Sequence, residues 1–349
     1  MQWKSASFAV LSFAVLSLAV LSSAISLSLS NSPYSLSQTA NPPPPDHPQG
    51  PPPGGAQRWH EQIASSQTLK IGGSALQVDF ATGALDLTPA QIIPWIQRAA
   101  QAVTVYYGRF PVPRVRILVI PTSDRAGVLQ GTTWGDMRGF PAFTRIRLGQ
   151  HTTERDLTED WTMTHELVHS AFPSLPDDQH WMEEGLATYI EPIARVQAGE
   201  LSGNRVWRDM MEGMPKGEPA PGDQGMDRTH TWGRTYWGGA LFCLVADVNI
   251  RKQTQNRKGL QDALRAIVAA GGTIDHDWPL IRALEVGDKA TGTTVLTDQY
   301  KQWSESPSPV DLPTLWKDLG VSPGKDRDAG AVLDPHAPSA QIRDAIMAH

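Results

Sequence analysis

Five residues constrain this chain more than any other stretch: His165-Glu166-Leu167-Val168-His169. Two imidazoles four positions apart work together only on a helix, where they lie one turn apart on the same face. Both ring nitrogens then reach a single ion at about 2 Å. The glutamate between them is placed to take a proton from an attacking water. The flanks support the helix. Leu157, Trp161, His165, Val168 and Phe172 form one stripe at helical spacing, and Thr153 with Asp156 three residues later has the pattern of a cap. The spacing predicts a helix over 154–171. Two histidines flanking a glutamate are costly in an ordinary core and are explained more simply by a metal.

A third ligand lies downstream, in Trp181-Met182-Glu183-Glu184-Gly185-Leu186-Ala187-Thr188-Tyr189. The loop between, with Pro173, Pro176 and Asp177-Asp178, is short enough that a helix over 179–194 must pack close to the first. Two His, one Glu and an open fourth position are the ligand set of a hydrolytic zinc centre. Met182, Leu186, Tyr189, Ile190 and Ile193 form the aliphatic stripe of this second helix. Glu184 points away from it, with Trp181 and Thr188, and Glu183 sits at its flank. Periodicity does not choose between the two glutamates.

The pair of motifs resembles the gluzincin metallopeptidases. HELVH followed by WMEEGLATY is similar to the aminopeptidase-N family, in which H-E-x-x-H precedes W-x-x-E-G-x-A-T-Y and the glutamate before the glycine binds zinc. That resemblance implies ligand status for Glu184, with Glu183 as runner-up. It also implies a catalytic Tyr236, because Tyr236-Trp237-Gly238-Gly239 matches a Y-x-x-G segment whose tyrosine stabilises the tetrahedral intermediate. The match covers mainly residues 110–250. The spacer between His169 and Glu184 is shorter than in the aminopeptidases, and the G-A-M-E-N segment that holds a substrate's free amino end is missing. The resemblance therefore implies a compact, stand-alone thermolysin-like core of the peptidase MA-like group rather than aminopeptidase specificity.

The rest of the chain gives this core its setting. Strands are expected at 69–72 and 76–80 about a Gly72-Gly73 turn, at 114–120 and at 143–148, with a helix over 88–107 and a Gly-rich loop over 131–139. From 154 onward the pattern is mainly helical, with further helices over 204–213, 230–252, 258–270, 278–286 and 293–304 and a short one at 341–347. A small mixed sheet followed by a helical half is an α+β fold. The domain is placed at 57–320, with a C-terminal tail over 321–349.

Before Asp46 the only charged side chain is Lys4, and Phe8–Leu21 reads FAVLSFAVLSLAVL. This is the n-region and h-region of a signal peptide, 1–24, with cleavage near Ala24 or as late as Ala40. An uncleaved anchor is the alternative. Residues 41–56 are a Pro/Gly-rich linker. A single cysteine, Cys243, excludes an internal disulfide. Thirty basic against thirty-six acidic residues, with no dense basic run, argue against a nucleic-acid partner.

The reading is an exported hydrolase, periplasmic or extracellular, without stable membrane insertion once the signal is removed. It would use one zinc per chain to cleave a peptide or protein substrate. His165, His169 and Glu184 hold the metal, Glu166 is the base and Tyr236 the oxyanion donor. The alternative is a non-catalytic zinc-binding or envelope interaction protein that keeps a peptidase fold. Further groups are singled out with lesser roles. His180 caps or lines a cleft, His230 precedes the Tyr236 segment, and Arg234 is expected at the surface. Asp275-His276-Asp277 is expected as a loop before a helix, and 143–148 as a sheet edge open to an extended peptide.

Overall fold

The computed structural model describes residues 61–326 and 329–349. The expected signal segment, the linker and the first residues of the expected domain, 57–60, lie outside the described residues. The order is β1 (Ile63–Ile71), β2 (Ser74–Ala81), α1 (Pro89–Tyr107), β3 (Arg114–Thr122), β4 (Val128–Met137), β5 (Phe140–Gly149), α2 (Glu154–Glu159), α3 (Thr162–Val168), α4 (His180–Gln197), α5 (Gly203–Gly213) and α6 (Gly239–Gln253). There follow α7 (Leu260–Ala269), α8 (Leu280–Thr291), α9 (Val295–Trp303), α10 (Leu312–Leu319), β6 (Val321–Pro323), β7 (Ala331–Leu333) and α11 (Ala340–Met347). The fold is α+β, with a mixed sheet in the order β1-β2-β3-β5-β4 ahead of a helical half. No described helix is long and apolar enough to cross a membrane.

Alternation along the strands explains the layers. Val115, Ile117 and Val119 of β3 and Ala142, Ile146 and Leu148 of β5 face the main core together with Ile92, Ile96, Ala99 and Val103 of α1. Leu118 and Phe143, out of phase with these, join Ala81 and Trp134 in a small cluster of their own on the other face. Gly72 and Gly73 have φ of 57° and 85°, a left-handed pair suited to the tight β1–β2 turn. α6 is buried nearly all round, through Leu241, Phe242, Cys243, Leu244, Ala246 and Val248, and forms the centre of the helical half. Cys243 is a buried thiol, as its apolar surroundings imply.

Three sequence expectations are corrected here. The Gly-rich stretch 131–139 is not a loop, because most of it is the strand β4, paired antiparallel with β5. Within β4, Gly131 and Gly135 mark close approach rather than a turn, whereas Gly139, with φ of 79°, belongs to the β4–β5 turn. A Cβ on Gly131 would lie 2.5 Å from Glu166 Cγ, and one on Gly135 would lie 1.9 Å from the carbonyl oxygen of Ile274. In consequence 143–148 is not a sheet edge. β5 is flanked by β3 and β4, and β4 carries the edge. Finally, the single helix expected over 154–171 breaks at Asp160-Trp161 into α2 and α3, and the Thr153–Asp156 capping box starts α2. The C-terminal residues pack on the body, with Ile342 and Ile346 of α11 in the core.

Candidate metal centre

The start of α3 is held by Asp160, the residue before its N-cap Trp161. Asp160 Oδ2 accepts from the Met163 amide at 3.0 Å and from Trp95 Nε1 of α1 at 3.0 Å, which fixes where the short helix starts. His165 and Glu166 lie on α3, and the chain runs on through a 3₁₀ turn, His169–Ala171, so His169 follows one turn later. The loop to α4 is tied down by Ser174, whose amide donates to His276 and whose hydroxyl donates to Ile274. The 275–277 cluster belongs to this tethering loop ahead of α8, as expected.

Three groups converge. His165 Nε2 lies 3.1 Å and His169 Nε2 3.8 Å from Glu184 Oε2. One ligand atom from each of the three residues falls within 4.8 Å of the others. His165 and Glu184 are 2% exposed, and His169 is partly buried at the open side. Two imidazole nitrogens and one carboxylate oxygen fit the protein ligand set of a hydrolytic zinc site. Among the described residues no other His/Cys/Asp/Glu group of this kind occurs.

Glu166 is buried beside these groups, under the backbone of β4. The Thr133 hydroxyl donates to Glu166 Oε2 at 2.8 Å and lies 3.0 Å from the Thr144 hydroxyl of β5. Gly131 leaves the space that the Glu166 side chain fills. Burial pushes the Glu166 carboxyl up to about 7, against the opposing pull of His165, which suits a general base at neutral pH. Burial alone would also raise Glu184. His169, together with the hydrogen bonds from His165 and His180, instead holds it well below the usual carboxylate range, so it is ionised and ready to ligate.

Tyr236 reaches the site by a device that the sequence hides. Gly233–Gly238 forms a π-helical turn ahead of α6, where a plain helix over 230–252 was expected. Gly239 then packs directly on Gly185, the residue after Glu184. A Cβ on either would fall 2.3 Å from backbone atoms of the other helix, namely Gly239 for Gly185 and the Trp181 carbonyl for Gly239. This close crossing of α4 and α6 brings the Tyr236 ring to 6.4 Å from that of His165, stacked at 24°. Trp161 meets His165 edge-on at 5.3 Å. A cavity of about 180 Å³ borders Trp161 and Trp237, with Met210 and Met214 on its apolar side and Glu159, Glu191, Arg195 and Asp209 among its charged walls.

Two of the lesser groups, Arg234 and His180, fare differently. Arg234 is not at the surface. It is 3% exposed, paired with Asp223 at 2.8 Å, and donates to the Gly217 carbonyl, so it pins the π-turn. His180 opens α4 and faces both glutamates, with Nδ1 3.0 Å from Glu183 Oε2 and Nε2 3.2 Å from Glu184 Oε1. Burial works against the charged ring, but the bonds to Glu183 and Glu184 outweigh it and push His180 up to about 10. Sequence reasoning missed Thr133, which no spacing rule connects to Glu166 across 33 positions. It also missed the Asp227 hub, which accepts from Trp181 Nε1 at 2.8 Å and from the Tyr300 hydroxyl at 2.7 Å.

No family model matches the chain, and no curated protein is similar to it in sequence. Solved structures are similar in fold. An aminopeptidase N family protein from Idiomarina loihiensis superposes with a TM-score of 0.53 at 14% identity, over 74% of this chain and 49% of that one. An M1 zinc metallopeptidase from Deinococcus radiodurans, a variant bound to a Tyr-Ser-Ala substrate, gives 0.48 at 15% identity, over 71% and 53%. The chain thus spans about half the length of the solved structures it matches.

Proposed function

We propose that this chain is a gluzincin-like zinc peptidase, exported to the periplasm or beyond, acting on a peptide or protein substrate with one zinc per chain. The observation that carries the reading is the convergence of His165, His169 and Glu184 beside a buried, hydroxyl-bonded Glu166. A purely structural metal site has no use for that base. When bound, zinc supplies Lewis acidity toward the scissile carbonyl and toward the attacking water. Glu166 takes the water's proton and passes it to the leaving nitrogen. The Thr133 hydroxyl donates to this carboxylate and favours its ionised form. Tyr236 donates its hydroxyl proton in a hydrogen bond to the developing oxyanion. The edge of β4, next to Glu166, accepts the substrate backbone by strand addition.

The test is elemental analysis of the mature protein beside its Glu184→Ala and Glu166→Gln variants, followed by peptide hydrolysis. One zinc in the wild type and in Glu166→Gln is expected, with none in Glu184→Ala. Hydrolysis is expected in the wild type alone. A folded wild type without zinc, or hydrolysis that survives Glu166→Gln, refutes the reading.

A further inference from the structure

We infer that His180 is a positioning residue for the metal ligand Glu184. It holds one carboxylate oxygen aside so that only the other faces the two histidines. The inference rests on the metal site proposed above and concerns residues on which that proposal does not depend. The two oxygens of Glu184 are differently employed. Oε2 is the atom near His165 and His169, at 3.1 and 3.8 Å. Oε1 points the other way, to His180 Nε2 at 3.2 Å. The ring cannot swing away, because its second nitrogen, Nδ1, is held by Glu183 Oε2 at 3.0 Å. Glu183 is fixed in turn, its Oε1 accepting from the Leu175 amide at 3.3 Å in the loop that joins the two ligand-bearing segments. A chain of contacts thus runs from the Leu175 backbone through Glu183 and His180 to the ligand carboxylate.

The local sequence makes this possible. His180, Glu183 and Glu184 stand at i, i+3 and i+4 in the first turns of α4, so one imidazole bridges both carboxylates without leaving the helix face. A carboxylate tied at Oε1 offers one oxygen rather than two. That keeps the remaining coordination position open for water, as a hydrolytic site needs. It also assigns the second glutamate of the Glu183-Glu184 pair. Glu183 is the anchor for the histidine, not a competing ligand.

The test is zinc affinity of the full mature chain by chelator competition, in wild type, His180→Phe, His180→Gln and Glu183→Ala, with the melting temperature of each apo protein measured alongside. Loss of an outer partner of a ligand costs about 10- to 100-fold in metal affinity. His180→Phe is expected to lose that much. His180→Gln, whose amide still donates to Oε1, is expected to recover most of it, and Glu183→Ala to fall between. Cobalt-substituted His180→Phe is expected to change its visible spectrum as Glu184 gains the freedom to bind through both oxygens. Unchanged or tighter zinc binding in a folded His180→Phe overturns the inference, as does equal loss in Phe and Gln. If His180→Phe does not fold, Glu183→Ala decides alone, and undiminished affinity there also overturns it. A wild type that binds no zinc refutes the proposed function instead, so the two failures are distinguishable.

Discussion

The contact between Gly185 and Gly239 makes a prediction that separates metal binding from catalysis. The proposed zinc ligands lie on α3, its 3₁₀ extension and α4, whereas Tyr236 arrives on the π-turn that leads into α6. Gly185→Ala puts a methyl carbon 2.3 Å from the Gly239 backbone, against an ordinary contact of at least 3.4 Å, so the helices must part by about 1 Å. Overpacking of this kind costs about 1–3 kcal/mol, and the better helix propensity of alanine returns up to about 1 kcal/mol. The net loss of roughly 1–2 kcal/mol corresponds to a fall in Tm of about 2–8 °C for a domain of this size. The ligands move little, because the strain lies behind Glu184 and not between the helices that carry the ligands. Tyr236, the proposed oxyanion donor, is displaced by about the distance that typically costs 100-fold in rate. The assay is zinc stoichiometry, Tm and kcat on one peptide for wild type, Gly185→Ala and Tyr236→Phe. The expected result is full zinc in all three, with kcat in Gly185→Ala down about 100-fold, toward the Tyr236→Phe level. Undiminished kcat in a variant with lowered Tm would refute the claim that this crossing sets the tyrosine. Loss of zinc would show that it sets the ligands instead.

Three further outcomes follow from single contacts. Thr133→Val removes the hydroxyl that favours ionised Glu166, so the Glu166 pKa rises. The acid limb of the pH–rate profile is expected to move to higher pH with zinc content unchanged, and an unmoved limb would exclude Thr133 from the base's environment. Asp79 is buried on the outer sheet face, where burial opposes its charge but Ser66, Gln77 and Arg116, the last at 2.6 Å, hold it below its ordinary value. Its contribution is present above the unfolded pKa near 3.8 and is lost as pH falls through the lower folded value. Asp79→Ala is therefore expected to cost roughly 2–3 kcal/mol at pH 7 and progressively less as pH is lowered below about 3.8 by urea unfolding, and a pH-independent difference would refute the ionic account. Asp227→Ala leaves Trp181 Nε1 and the Tyr300 hydroxyl without their shared acceptor, so a loss of about 2–3 kcal/mol is expected in thermal unfolding, and an unchanged Tm would refute the hub.

What was legible in the sequence, and what was not, divides along one physical line. His165, Glu166 and His169 could be read because their relation is set by one turn of helix and needs no knowledge of the fold. Glu184 needed a neighbouring helix and could be narrowed only to a pair, since periodicity gives a face and not a partner. In the proposed site the difference between Glu183 and Glu184 comes from His180 and the Leu175 amide, contacts in which geometry and not spacing decides. The glycines misled for the same reason. In isolation, Gly131 and Gly135 read as turn residues, yet each is small because another chain segment lies against it: Glu166 in one case, Ile274 in the other. Once β4 is a strand, the edge moves from β5 to β4 and the Thr133 hydroxyl arrives beside the base. The π-turn is equally silent, because its extra residue per turn leaves the apolar spacing of 230–252 close to that of an ordinary helix. A small residue beside a catalytic motif is therefore better read as a point of close approach than as a break. Gly185, next to the proposed ligand Glu184, and Gly239, at the end of the Tyr236 segment, are where that reading would have joined the two halves of the proposed site.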